Sequence, residues 1–282
     1  MIQSSRAAGF ADLPVERACA LLGLDRSGYY RQPKSRIASD ETALRDAIED
    51  IVVQFAGYGY RRVTAQLARD GWQVNHKRVL RILREESLLC QLKRRWTRTT
   101  DSAHGLAVYP KLVKGLSVQR LNQVWVADIT YIRLPSSFCY LAAVLDAFSR
   151  RCVGWHLSRS IDGDLAGAAL EKALESRRPA PGLIHHSDRG VQYACGQYVE
   201  RLSDAHALVS MAAKGTPREN AQAESFFGTL KMEEVYLQEY RTFDEAEASI
   251  RGFIEEVYNQ KRLHSALGYL PPAEFEDIIL AG

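Results

Sequence analysis

Three strand-like runs follow one another between Val124 and Leu157: Val124–Ile132, Phe138–Asp146 and Cys152–Leu157. Only the short turns 134–137 and 147–151 separate them. The middle run is apolar almost throughout, the pattern of a strand covered on both faces. Such a strand needs a layer packed on each side, and the sequence beyond it supplies helices. Asp164–Arg177 reads as a helix with Leu165, Ala168, Ala169 and Leu174 inward. A Pro-Ala-Pro-Gly break at 179–182 leads to a short strand, Leu183–His186. A helix near Gly196–Ser203, a strand at Ala207–Ser210, and two closing helices, Asn220–Tyr236 and Phe243–Asn259, complete the order. This is an α/β domain with a mixed five-stranded sheet.

Upstream the period is helical. Val15, Ala18, Cys19 and Leu22 recur at helix spacing, Gly23 can end that helix, and Asp25 or Ser27 can cap a second. Leu44, Ile48, Ile51 and Phe55 mark an amphipathic helix over Thr42–Ala56. After a Gly-Tyr-Gly-Tyr break, helices are expected over Arg61–Arg69 and Lys77–Glu86, with Asn75 as N-cap of the second. Two short helices about a glycine turn, the second carrying Lys77, Arg78, Arg81 and Arg84, outline a helix-turn-helix. Charge agrees: Gly57–Thr100 holds 11 Lys and Arg against 3 Asp and Glu, a balance of +8. From Leu106 onward 19 basic residues meet 22 acidic ones, a balance of −3. A basic segment joined to a mildly acidic domain is the footprint of a polyanion binder. Arg61, Arg62 and the linker cluster Lys93, Arg94 and Arg95 extend the basic surface. The expected organisation is a helix-turn-helix over 1–35, a second over 36–98, a linker over 99–119, and the α/β domain with C-terminal helices over 120–282.

Composition narrows the classes. A 46% hydrophobic and 25% charged chain of 282 residues can bury a core, which excludes a disordered polymer. No apolar run approaches the roughly 20 residues of a membrane span, and no signal-peptide pattern opens the chain, so a cytoplasmic protein is expected. Five scattered cysteines without any C-x-x-C argue for reduced packing thiols and against a zinc module.

Three carboxylates stand out by context. Asp128 lies inside an apolar strand, where a charge is costly unless something pairs with it. Asp188 follows a strand C-terminus, where α/β sheets place their sites. Glu224 begins a helix whose Phe226 and Phe227 can pack and aim it. The 35-residue gap between Asp188 and Glu224 is weak by itself, since about one Asp–Glu pair at any chosen offset arises by chance in this composition. Three carboxylates without thiolate or histidine partners favour magnesium or manganese. Two such ions about 4 Å apart suit phosphodiester chemistry.

The strand order is that of a ribonuclease-H-like domain, and the motifs carry a closer resemblance. Trp125–Ile132, Tyr140–Trp155, His185–Tyr193, Asn220–Lys231 and Tyr258–Pro272 together resemble the catalytic (OrfB) transposases of the IS-three family of bacterial insertion sequences, in the retroviral-integrase-like DDE superfamily. Tyr58–Arg62 and Val74–Val79 resemble the same family. The resemblance implies Asp128, Asp188 and Glu224 as catalytic metal ligands for two Mg2+ or Mn2+ ions, and Lys231 as a basic residue that meets DNA phosphate. It implies cleavage at element ends, then attack by the freed 3′ hydroxyl, which can join both ends of one element. Its implied partners are double-stranded DNA (terminal inverted repeats and target), a second copy of the chain, and the product of an upstream overlapping frame. Glu219-Asn220 replaces the usual Asp-Asn and keeps a carboxylate. Arg262, His264 and Asn220 are read as DNA contacts or as structural clamps.

Two rival classes remain. His156-Leu-Ser-Arg159 with Tyr193 fits the H-x-x-R of a tyrosine recombinase, but His156 falls at the end of an alternating strand. A domesticated DNA-binding regulator would have no need of three converging carboxylates.

Overall fold

A computed structural model describes residues 15–21, 38–90, 109–213 and 220–282. The chain divides into two compact units, Met1–Ala47 and Ile48–Gly282. In the first, helix α1 spans Val15–Leu21 and buries Cys19. The second helix expected within 1–35, with its caps, lies outside the described residues, as do Lys93, Arg94, Arg95 and Glu219. Helix α2, Ala38–Gln54, runs on into the second unit.

There, α3 (Tyr60–Arg69) and α4 (His76–Glu85) form the expected helix pair. Asn75 caps α4 by accepting from the Lys77 backbone N–H at 2.8 Å. Val63, Leu67, Val79, Ile82 and Leu83 are buried between the turns of this pair, which leaves Arg61, Arg69, Lys77, Arg81 and Arg84 exposed.

The sheet has strands β1 (Val124–Arg133), β2 (Phe138–Asp146), β3 (Cys152–Ser158), β4 (Ile184–Ser187) and β5 (Leu208–Met211). Their spatial order is β3-β2-β1-β4-β5, with β1–β2 and β2–β3 antiparallel and β1–β4 and β4–β5 parallel. Helices α5 (Gly163–Arg177), α6 (Val191–Ala194) and α7 (Gly196–Asp204) follow β3 and β4. Helices α8 (Ala221–Leu230), α9 (Phe243–Gly252) and α10 (Pro272–Ala281) follow β5.

Alternation of side chains along a strand divides the core in two. Trp125, Ala127, Ala142 and Val144 pack with Leu165, Ala169, Leu170 and Ala173 of α5. Val124, Val126, Ala143 and Leu145 pack with Phe226, Phe227, Leu230 and Ile250 on the other side. That is why β2 reads as apolar at nearly every position. Trp125 and Trp155 are both core residues. Among the described residues, no helix is long and apolar enough to cross a membrane.

Three sequence expectations need correction. The chain closes on three helices rather than two, because Pro271 and Pro272 end one segment and start α10. The two long C-terminal helices are not regular throughout: α8 gives way to a π-helical turn at Lys231–Val235, and α9 to one at Phe253–Tyr258. Cys90 is exposed, so it is not a packing thiol, whereas Cys139 and Cys152 are buried; all five thiols are free.

Candidate active site

Strands β1 and β4 pair in parallel, with Trp125 opposite His185 and Val126 opposite His186. Two residues further along that register lie Asp128 and Asp188, side by side at the point where β4 ends. Both are half-buried. Asp128 shares the parity of Val124 and Val126, so it faces the layer that contains α8.

Helix α8 carries Glu224. Ala223, Phe226, Phe227 and Leu230 are its buried side, which turns Glu224 outward and leaves it exposed. The N-terminus of α8 is hooked to the sheet by the buried Asn220, whose Nδ2 donates to the Ala127 carbonyl at 3.0 Å. Glu224 is one helical turn from that anchor, about 6 Å along the axis.

Electrostatics single this cluster out. Burial, then Asp188, then Glu224 push the Asp128 carboxyl up to about 8; a hydrogen bond from the Ile129 N–H and the Lys231 charge oppose the shift. Burial also raises the Glu224 carboxyl. Other buried carboxylates in the fold are paired in the ordinary way. Asp146 accepts from the Asn122, Phe148 and Ser149 N–H groups. Glu276 meets Arg151 at 2.7 Å and Arg177 at 2.5 Å. Asp128 instead lies in the field of two other carboxylates, Asp188 and Glu224, with Lys231 as the opposing cation. Among the described residues, no three His, Cys, Asp or Glu side chains are drawn tightly enough to grip a metal ion as they stand.

Lys231 begins the π-helical turn with its Nζ 4.6 Å from the centre of the Tyr131 ring. Burial lowers its pKa and Asp128 raises it, so the ammonium lies within the field of the carboxylate cluster. Tyr131, three residues past Asp128 on β1, was not singled out in the sequence; its place in Trp-Val-Ala-Asp-Ile-Thr-Tyr was the available signal. His185 and His186 are core groups. His185 Nε2 shares a 2.9 Å hydrogen bond with the Tyr198 hydroxyl, and His186 Nδ1 one of 2.9 Å with Ser210 Oγ. Burial and His186 hold His185 down at about 3, so it stays neutral. His156 lies on β3, paired with Ala142 of β2.

Residues 118–217 and 207–272 match models described as the integrase core domain, and residues 39–96 match one described as an HTH-like domain. The chain is similar to the insertion element IS600 uncharacterized 31 kDa protein of Shigella sonnei, 38% identical over 264 residues, covering 92% of this chain and 97% of that one. It is likewise similar to the transposase InsF for insertion sequence IS3A of Escherichia coli (strain K12), 34% identical over 278 residues and covering 96% of each. The chain belongs to the IS3 family of insertion-sequence transposases. Among solved structures it is similar to the HTLV-2 integrase catalytic core domain in complex with magnesium (trimeric form), with TM-score 0.42 and 13% identity, covering 55% of this chain and 95% of that one.

The transposase's expected DNA contacts divide into outward and inward residues. Lys77, Arg81 and Arg84 are exposed on α4 and Arg78 is half-buried there. Arg81 meets Glu85 one turn on, at 2.8 Å. Arg61 is exposed beside Tyr60, its Nε donating to the Tyr60 hydroxyl at 3.1 Å. Arg62 turns inward instead: its Nε donates to the Leu263 carbonyl at 3.1 Å and its guanidinium lies over Tyr58.

Arg262 is buried in a two-bonded pair with Glu233, Nε to Oε2 and Nη2 to Oε1, both at 2.7 Å. Gly57 backs directly onto this pair, and a Cβ there would overlap the Glu233 carboxylate. Tyr58 next to it accepts from the Leu263 N–H at 2.7 Å. His264 packs edge-on against Tyr258, and burial together with Arg262, Arg62 and Arg150 holds its pKa down at about 3. Uncharged at neutral pH, His264 brings no positive charge to a phosphate. The Gly-Tyr-Gly-Tyr break and the terminal motif are thus two halves of one packed joint.

Proposed function

We propose that this transposase cuts DNA at the ends of its element with Asp128, Asp188 and Glu224, and then joins the freed 3′ hydroxyl to a second phosphodiester. The observation that carries this reading is the placement of Asp128 and Asp188 beside each other beyond paired residues of β1 and β4, with Asn220 hooking the Glu224 helix next to Asp128. Burial, reinforced by the neighbouring carboxylates, keeps a proton on Asp128 at neutral pH, and a divalent cation would replace that proton. The donor set fits the hard ions magnesium and manganese, two of which would activate the attacking oxygen and stabilise the leaving one. Asp128 and Asp188 would hold them from the sheet, and the exposed Glu224 would turn in from α8. Lys231, steadied on Tyr131, would take a phosphate oxygen beside the carboxylates.

Lys77, Arg78, Arg81 and Arg84, with Arg61 and the linker residues Lys93, Arg94 and Arg95, would bind the duplex of the terminal inverted repeats and the target. Helix-turn-helix regions over 1–35 and 36–98, a linker over 99–119 and a catalytic region over 120–282 would serve these roles. Holding two ends requires at least a dimer, and an upstream-frame product is a further candidate partner. The work is cytoplasmic, on the bacterial nucleoid. The test is cleavage of a labelled element end in magnesium: Asp128→Asn, Asp188→Asn and Glu224→Gln should each abolish it while DNA binding persists. Near-normal cleavage by any one variant removes that residue from the triad.

A further inference from the structure

The π-helical turn Lys231–Val235 sends its polar side chains to different parts of the fold. Lys231 reaches the Tyr131 ring, with its Nζ 4.6 Å from the centre. Glu233 accepts two hydrogen bonds from Arg262, and the two side chains are only 6% and 4% exposed. Glu234 accepts from the Tyr240 hydroxyl at 2.9 Å and from the Ser249 hydroxyl. Residues two apart on a helix do not face each other, so Lys231 and Glu233 hold the turn from different sides. The Tyr236 N–H closes the turn on the Lys231 carbonyl at 2.8 Å. Single π-helical turns inside α-helices are frequent at functional sites.

Arg262 is fixed in its turn. Its backbone N–H donates to the Val257 carbonyl at 2.8 Å. Asn259 between them bonds both backbone groups of Cys152 on β3, each at 3.0 Å. Glu233 is thus tied to the sheet through Arg262. Gly57, just before α3, abuts Glu233 as well. A Cβ there would overlap Oε1, Cγ and Cδ of Glu233, and moving that carboxylate strains its bonds to Arg262.

We propose that Glu233, locked by Arg262, is a positioning residue: it sets the π-helical turn so that Lys231 stands over Tyr131, and it carries the seating of the Gly57 turn to the active site. This rests on the reading of Lys231 as the group that takes a phosphate oxygen. The joint between the helix pair and the terminal motif then lies only two residues from that lysine.

The experiment is a proton–carbon NMR spectrum of the full chain, isotopically labelled at lysine Cε, beside joining of a pre-nicked DNA end. The Lys231 signal, identified by its loss in Lys231→Arg, should lie upfield of the other lysines because it sits over an aromatic ring. Glu233→Gln keeps the shape and loses the charge; Gly57→Ala pushes on the carboxylate from the helix pair. Each should move the signal toward the other lysines and lower joining by roughly 10- to 100-fold, at a temperature where circular dichroism shows a folded chain. Arg69→Ala breaks the exposed bridge from α3 to Glu274 without touching the turn, and should leave the signal in place. An unmoved signal in either folded variant overturns the role, as does an equal displacement in Arg69→Ala. Normal joining by Lys231→Ala removes the reading of Lys231 and this inference with it. Impaired joining by Lys231→Ala beside normal joining by Glu233→Gln and Gly57→Ala leaves that reading standing and overturns the positioning role alone.

Discussion

The side-chain amide of Asn220 donates to the backbone carbonyl of Ala127 at 3.0 Å, tying the first turn of the Glu224 helix to the residue before Asp128. Residues 93 apart in the chain thereby share one anchor, which fixes the start of the helix that carries Glu224. Asn220→Ala removes the donor from a buried carbonyl and should lower stability by about 1–3 kcal/mol. Cleavage should fall further than that loss explains, because Glu224 is no longer held. Urea unfolding beside end cleavage at a temperature where the variant is fully folded decides it; normal cleavage there would show that the anchor is structural only.

Asp128 is predicted to weaken the metal-free fold. Its folded pKa of about 8 lies well above the ordinary value near 3.9, so between those limits the native state holds a proton that the unfolded chain has released. Stability from this group therefore falls as pH rises from about 4 to about 8. Asp128→Asn, measured in chelator, should have a higher Tm than the parent at pH 7.5, and the gap should close near pH 4. A gap that widens at low pH would reverse the assignment.

The Arg262–Glu233 pair is buried on both sides, so removing one partner strands the other charge. Arg262→Ala should destabilise by about 3–5 kcal/mol. Gly57→Ala should weaken the same pair from the opposite side by displacing the Glu233 carboxylate. Denaturant unfolding at neutral pH measures both; wild-type stability in Arg262→Ala would leave that residue available for DNA.

Lys231 lies over the Tyr131 ring and in the field of Asp128. Lys231→Ala should impair joining of a pre-nicked end while Mn2+ affinity stays near wild type, and Lys231→Arg should retain part of the activity. Tyr131→Leu should give a milder form of the same defect, since it removes the support rather than the charge. Full joining by Lys231→Ala would exclude a placement role.

On α4, Lys77 and Arg84 are the exposed cations to test first. Each phosphate contact adds about 0.9 to the slope of log affinity against log salt. Lys77→Ala with Arg84→Ala should flatten that slope and weaken end binding. An unchanged slope in an anisotropy titration would move recognition to other basic residues.

The strands and most helices were legible because they depend on local pattern. Period-two alternation marked β1, an all-apolar run marked β2, and Asn75 announced the start of α4. A charged Asp128 inside an apolar strand marked itself by the cost of burying it. Nothing local distinguishes Arg262 from Arg84, or Arg62 from Arg61. Their fates were decided by what the tertiary fold brings near: Glu233, which lies 29 residues before Arg262, and Leu263, which lies 201 residues beyond Arg62. The ring beneath Lys231 belongs to the same class. A side chain's intrinsic chemistry is written in the sequence, but whether it meets solvent, a counter-charge or a carboxylate cluster depends on contacts across the whole chain, which only packing establishes.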